Sequence, residues 1–385
     1  MSRRLALFAP LLVLSPVLFG CQTGARAARS PAELAVEQAA AENRPVPELP
    51  GLKRGINLGN GLDAPTEGEW GVTLTETHFE MAAEGGFDHV RLPVRFSNHA
   101  SPTAPYTLDE SFMQRVDWAI EQALSHKLSV IVDLHHYEEL MEDPEAHTER
   151  LLAIWEQLAT RYAARPEQVK FELFNEPCKQ FNPVRVNAVV AKLLPVIRRS
   201  NPTRWILVDS YFWAAGAYLD ALTLPASDPY LAATFHMYQP ILFTHQGAPW
   251  MGPEYQTLGV QFPGPPAKPI VPEKFATSTG WVRDWFRRYN TEPAKTNPSG
   301  PATLDLEFDY ASRFGAKTGR PVYLGEFGVI AQADDTSRVR WLRAVREEAE
   351  ARHLGWAYWD NGGDFMVMNV KQHTWEEALK KALLE

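Results

Sequence analysis

From Gly51 to the C-terminus one unit recurs eight times: a short apolar run of strand length, then a longer run with apolar residues at helical spacing. Strands are expected over Lys53–Leu58, His89–Val94, Ser129–Leu134, Val169–Phe174, Trp205–Val208, Leu231–Phe235, Pro321–Leu324 and Gly355–Tyr358. Helices are expected over Thr75–Glu84, Asp109–Ser125, Glu145–Ala164, Pro183–Arg199, Thr303–Lys317, Ser337–Arg352 and Trp375–Leu384, with a short one near Trp213–Ala221. In the third of these, Leu151, Leu152, Trp155 and Leu158 mark one buried face. Eight strands alternating with helices argue for an α/β fold of the (β/α)8 TIM-barrel type, in a single catalytic domain. An open dinucleotide-binding sheet fits less well, because Gly55, Gly59 and Gly61 lack the G-x-G-x-x-G spacing. The 385 residues exceed a typical domain, but closed α/β barrels reach this length with insertions.

A barrel of this kind works at the C-terminal ends of its strands. Polar residues stand at those ends here: Arg91, His135, Asn175, Glu176, His236, Tyr238, Glu326 and Trp359. The run Phe171-Glu172-Leu173-Phe174 ends in Asn175-Glu176-Pro177, and Pro177 cannot continue a sheet ladder. A carboxyl at the tip of a buried strand can hold or give a proton where water is scarce. Two such carboxyls facing one pocket point to glycosidic bond cleavage.

The partner of Glu176 follows partly by elimination. Glu172 shares its strand face, but four residues of strand span roughly 13 Å, beyond even the inverting spacing of about 6.5–9.5 Å. Glu172 reads instead as a barrel-interior acid paired with a base. Asp133 and Asp209 are possible partners near strand ends, and Asp360 is expected to point away. Glu326 is the best candidate: it lies in Tyr323-Leu324-Gly325-Glu326-Phe327-Gly328, with glycines that permit close approach. The fourth and seventh strands are expected to face each other across the barrel.

These residues resemble glycoside hydrolase family 5, the cellulase family of the retaining barrel glycosidases. The likeness runs from Gly51 to the C-terminus. It rests on Gly55-Ile56-Asn57-Leu58-Gly59-Asn60, Arg91 in Val90-Arg91-Leu92-Pro93, His135 in Asp133-Leu134-His135-His136, Asn175-Glu176-Pro177, His236-Met237-Tyr238, Glu326 and Trp359. The resemblance implies double displacement, with Glu326 as nucleophile and Glu176 as acid and then base. It implies that Arg91 and Tyr238 keep Glu326 ionised, and that Asn175 holds the sugar 2-hydroxyl. His135 and His236 would bind hydroxyls or orient the glutamates, with His136 a further candidate, and Trp359 would offer a flat face to the pyranose. Blander readings stand beside these: Arg91 as the partner of Glu172, His236 and Tyr238 as core, Cys178 as a small packed residue. The expected substrate is a β-linked polysaccharide or oligosaccharide, first a β-1,4-glucan cut internally, with mannan, xyloglucan or β-1,3-glucan as alternatives.

The stretch from Tyr238 to Pro301 reads as a long loop walling the cleft, with Trp250 as a stacking position. The net charge of −9 argues against nucleic acid as a partner. The two cysteines, Cys21 and Cys178, build no disulfide framework and no zinc cluster, and neither metal nor cofactor is expected. A metal-dependent hydrolase using His135, His136 and His236 is a rival reading, and a non-catalytic glycan-binding lipoprotein is another. Arg3, Arg4 and the apolar run Leu5–Phe19 read as a secretory signal, and Leu18-Phe19-Gly20-Cys21 resembles a lipoprotein processing site. Residues 1–21 would then be a signal peptide, with plain secretion the alternative to a lipid on Cys21. Residues 22–50 would be a disordered tether, and 51–385 a monomeric barrel at the cell envelope or beyond it.

Overall fold

The computed structural model describes residues 46–385, so the expected signal, Cys21 and most of the tether lie outside the described residues. Eight strands form a closed, all-parallel barrel in sequence order. They are β1 (Arg54–Asn57), β2 (His89–Val94), β3 (Ser129–Leu134), β4 (Val169–Glu172), β5 (Ile206–Asp209), β6 (Leu231–Met237), β7 (Val322–Phe327) and β8 (Gly355–Tyr358). The barrel closes where Gly55 of β1 pairs with Ala357 of β8. In this order β4 stands opposite β8 and three places from β7, so the expectation that the fourth and seventh strands face each other is wrong. Glu176 and Glu326 approach across an arc of the barrel mouth, not across its diameter.

Side chains alternate between the barrel's interior and its helix-facing surface. The outward set, including Val90, Val130, Val132, Phe171 and Val208, joins the main core under the helices. The inward set changes character along the axis. Near the strand starts Ile131, Leu207, Ala232, Tyr323 and Ala357 form an apolar layer with Leu49 and Leu52. Two residues further along three of these strands stand Asp133, Asp209 and Thr234, all fully buried. The interior is therefore a mainly apolar floor, in which His89 lies 2.6 Å from the Tyr323 hydroxyl, beneath a polar storey. Leu49 and Leu52 close the floor, and Val46 is also buried. Packed residues therefore extend upstream of Gly51: Leu49 and Leu52 seal the barrel, and Val46 packs beside Gly315 in the main core.

The layer outside the strands contains eight helices of eight or more residues among the described residues. They are α1 (Glu76–Gly85), α2 (Glu110–Ser125), α3 (Pro144–Arg161), α4 (Pro183–Arg198), α5 (Gly280–Thr291), α6 (Pro301–Thr318), α7 (Asp335–Ala351) and α8 (Glu377–Leu384). Side-chain oxygens of Asp109, Asp143, Asn182 and Asp334 cap α2, α3, α4 and α7, satisfying backbone N–H groups that the helices leave open. Helix α5 lies in the stretch expected to be a long loop; Val282, Phe286 and Tyr289 are its buried face. Only short turns, Tyr211–Ala214 and Gly216–Ala221, follow β5.

β6 and β7 run further than expected, taking His236 and Glu326 into the strands. Both lose regular register there, β6 between Phe235 and His236 and β7 between Leu324 and Phe327. Such irregularities re-aim side chains at the rim of a barrel. At the opposite end, a Cβ on Gly355 would collide with the backbone carbonyl of Leu52, so β8 and the floor segment meet backbone to backbone. Gly355→Ala is therefore expected to lower stability by about 1–3 kcal/mol, the usual range for overpacking. Urea unfolding followed by fluorescence checks this, and an unchanged midpoint would contradict the contact.

Candidate active site

The polar storey is arranged around Arg91, which is completely buried. An isolated charge in that position would be very costly, so it must be paired. Its Nε and Nη2 donate to the two oxygens of Glu172 at 2.9 and 2.6 Å. Nη1 donates to Glu326 Oε1 at 2.7 Å and to Asn57 Oδ1 at 3.0 Å. Nη2 also reaches Asn175 Oδ1 at 2.7 Å and lies 3.0 Å from Asp133 Oδ2. The two readings of Arg91, as partner of Glu172 and as donor to Glu326, are therefore both realised by one guanidinium.

Glu326 is held at both oxygens, by Arg91 at Oε1 and by the Tyr238 hydroxyl at Oε2, 2.9 Å away. Burial pushes the Tyr238 phenol well above its ordinary value, so it stays a donor. Gly325 is required beside this acid: a Cβ there would stand 2.8 Å from Thr234 Oγ1 and 2.9 Å from His236 Nε2. Glu176 is built differently. Its backbone is left-handed, with φ of 49°, and its N–H donates to Asp209 Oδ2 at 2.7 Å. Its side chain keeps 27% of its exposure against 6% for Glu326. His236 Nδ1 lies 2.9 Å from Glu176 Oε1 and 3.6 Å from Glu326 Oε2.

One oxygen of Glu176, one of Glu326 and a ring nitrogen of His236 all lie within 4.8 Å of one another. A retaining pair needs about 5–5.5 Å between its carboxyl groups, and an inverting pair needs room for a water at about 6.5–9.5 Å. Burial lifts the pKa of both acids. Glu176 is pushed up to about 7, with Arg91 opposing and Glu172 adding to the rise. Glu326 is also raised by burial, opposed by His236 and Arg91 and by the Tyr238 hydrogen bond. Only Glu326 touches a permanent cation, so it is the acid that ionises first. Burial depresses His236 to about 4, which leaves its imidazole neutral near neutral pH.

The remaining expected residues surround this pair. His135 donates or accepts at Nδ1 with Asp133 Oδ2 at 2.6 Å, and its ring lies nearly parallel to Trp359, with centroids 5.5 Å apart. Burial holds His135 well below the usual histidine range. His136 sits edge-on to His135 at 4.6 Å and to Trp70 at 5.5 Å. Trp250 is 55% exposed and lies 6.4 Å from His245, which packs on Tyr238 at 4.8 Å. The three histidines weighed for a metal are divided: His236 groups with the glutamates, whereas His135 and His136 group with Asp63.

Several neighbours went unassigned from sequence. Asp209, weighed only as a partner carboxyl, instead holds the Glu176 backbone. Asn60 donates to Asp360 Oδ2 at 2.5 Å, and Asp63 Oδ2 accepts from the Asn60 backbone at 3.1 Å; both acids are buried. Asn60 closes the first-strand motif, which was the one signal for this group. Trp213, expected to begin a helix, is 49% exposed, and its N–H donates to the Pro177 carbonyl at 3.2 Å.

A closed parallel barrel that sets two glutamates at retaining distance on its C-terminal rim is a barrel glycoside hydrolase. The chain belongs to the cellulase family, glycosyl hydrolase family 5, whose description is matched by residues 53–364. It is 32% identical to Endoglucanase H of Acetivibrio thermocellus over 335 residues, covering 86% of this chain but only 32% of that protein. The chain thus spans about a third of the length of that relative. It is 29% identical to Endoglucanase C of the same organism, covering 83% of this chain and 94% of that protein. Among solved structures, Thermotoga maritima Cel5A in complex with cellobiose superposes with a TM-score of 0.75 at 36% identity, covering 87% of this chain and 98% of that one. The same protein is also solved in complex with a mannotriose substrate.

Arg91 sets a test of this arrangement. Removing it leaves Glu172, Asp133 and Glu326 buried without a cation, so Arg91→Met is expected to cost about 3–5 kcal/mol of stability. Urea midpoints for the variant and the parent would measure this, and a variant of equal stability would show that Arg91 is not the counter-charge.

Proposed function

We propose that the protein is an endo-β-1,4-glucanase that works by two-step retention. The carrying observation is the approach of an oxygen of Glu176 and one of Glu326 within 4.8 Å, too close for the water that an inverting pair sets between its base and the anomeric carbon. The glucan assignment is supported by the names of its relatives, Endoglucanase H and Endoglucanase C.

In the first step Glu326 attacks the anomeric carbon as a carboxylate, and Glu176 protonates the departing glycosidic oxygen. Asn175 is oriented for the 2-hydroxyl: its Oδ1 is taken by Arg91, so its NH2 is the group left to donate. Trp359 presents a flat face beneath the ring, and His135, tied to Asp133, offers Nε2 to a hydroxyl. Esterification removes the charge of Glu326, so Glu176 becomes more acidic and takes a proton from water in the second step. His136 and Trp250 add contacts further along the chain. A mannan-cleaving enzyme with the same mechanism is the second reading, favoured by the likeness to the protein solved with mannotriose. We further assign residues 1–21 to a lipoprotein signal and propose that a lipid on Cys21 tethers a monomeric barrel to the cell envelope.

Product release from defined β-glucans and mannans decides between the substrates: cellulose-derived chains are expected to be cut internally, and cleavage of mannan alone would overturn the glucan assignment. Glu326→Ala should abolish release. Glu176→Gln should lower turnover of polymer by about 10²–10⁴-fold, while an aryl glycoside with an acidic leaving group loses far less. A Glu176→Gln variant equally slow on both would deny it the role of acid.

The pH profile follows from the two acids. Glu176 must carry its proton in the first step, so the rate falls as pH rises through about 7. Glu326 must be ionised, so the rate also falls as pH drops through a value above its ordinary 4.5. A profile of kcat/KM is expected to be bell-shaped between these limits; a rate that climbs steadily to pH 9 would contradict the assignment. Trp250→Ala is expected to weaken turnover of long oligosaccharides by roughly tenfold, the loss of one stacking contact. Unchanged activity on both short and long chains would remove Trp250 from the cleft.

A further inference from the structure

The turn after β5 carries a backbone feature that packing does not explain. Phe212, Trp213 and Ala214 are consecutive non-glycine residues with φ of 63°, 56° and 53°. The left-handed region is disfavoured for each of them, and glycine or asparagine would hold such a turn with less strain. Ala214 is buried, but the strain does not bury the two rings before it, since Phe212 is 47% exposed and Trp213 49%. It has the effect of standing aromatic rings out of the rim. Phe212 lies 4.8 Å from Trp213 and 5.6 Å from Tyr218, with the Phe212 and Tyr218 planes only 34° apart. Strain held in place by its surroundings, at the edge of a site, points to function.

The surroundings do hold it, and they connect it to Glu176. The Trp213 N–H donates to the Pro177 carbonyl at 3.2 Å, and the Tyr211 hydroxyl donates to the Lys179 carbonyl at 3.1 Å. The Ser210 hydroxyl donates to the Ala215 carbonyl at 2.8 Å, and Ala215 bridges in parallel to His236. The turn is therefore bolted on one side to the segment that follows Glu176 and on the other to the histidine that touches it. The acid that protonates a departing oxygen faces the leaving-group half of the substrate. A platform fastened to that acid's own segment lies on the same half.

We propose that Phe212 and Tyr218 form an additional stacking position for a β-glucan chain on the leaving-group side of the cleft. The proposal rests on the glucanase reading above. The two exposed rings, tilted 34° to each other, offer apolar faces to a pyranose, and their position at the rim is reached only by a chain that extends past the cleaved bond. The platform favours long chains over short ones and biases the position of cleavage along them.

Phe212→Gly tests this, because glycine keeps the left-handed turn and removes the ring. The ratio of kcat/KM for cellohexaose to that for p-nitrophenyl cellobioside, whose leaving group is too short to reach the platform, is expected to fall roughly tenfold. The cleavage positions on end-labelled cellohexaose should shift toward products with fewer units on the leaving-group side, and Tm should not drop. An unchanged ratio and cleavage pattern would overturn the proposal. So would equal losses on both substrates together with a lower Tm, which would mark a structural role. A wild-type dimer in ultracentrifugation that becomes monomeric in Phe212→Gly would assign the patch to self-association and likewise defeat it. If the wild-type enzyme cleaves neither substrate, the glucanase reading fails and this one with it.

Discussion

One buried guanidinium holds this molecule's chemistry together. Arg91 is a cation without access to water, and Glu172, Glu326, Asp133 and Asn175 are all placed around it. None of the acids could stay charged there alone, and Arg91 could not be buried without them. The pairing also explains the division of the barrel interior. Below it an apolar cluster, with His89 bonded to its Tyr323, is sealed by Leu49 and Leu52; above it the inward side chains are polar and lead to the rim. The position of Glu326 is thereby tied, through Arg91, to strands β2, β3 and β4 rather than to its own strand alone.

The same constraint makes the two glutamates unlike. Glu326 lies within a strand, donor-bound at both oxygens, with almost no access to solvent. Glu176 sits just past a strand end, more open, with only a neutral imidazole at its carboxyl. That imidazole can meet either state of Glu176, donating from Nδ1 to the carboxylate or accepting there from the acid, by a change of tautomer without gaining charge. Asp209 fixes the Glu176 backbone in its left-handed conformation and so fixes where the carboxyl points. The proposed roles, a nucleophile that must stay ionised and an acid that must change state, call for this difference.

Much of this was legible in the chain. β2, β3 and β8 have the ends their apolar runs imply, because a buried parallel strand is a short hydrophobic block with sharp edges. Asn175-Glu176-Pro177 and the glycines beside Glu326 stood out because those residue types make no sense as packing. What sequence could not supply was geometry across strands. The arc from β4 to β7, the double use of Arg91, and the grip of Asp209 on Glu176 are relations between distant residues. The register shifts that bring His236 and Glu326 into their strands are likewise tertiary. Helix α5 was missed although Val282, Phe286 and Tyr289 have helical spacing; the surrounding prolines drew the whole stretch into a loop reading. Val46 and Leu49 read as tether because the polar residues before them hid their packing, Val46 in the main core and Leu49 in the floor.

The account stands on the distance between two carboxyls, and stereochemistry reads that distance in solution. Proton NMR of the reducing ends released in the first minutes from a cellooligosaccharide distinguishes the two outcomes before mutarotation blurs them. Attack by Glu326 followed by attack of water predicts that the β-anomer appears first and the α-anomer grows in later. Initial release of the α-anomer would mean direct displacement by water, and the close pair of glutamates would not be the catalytic pair.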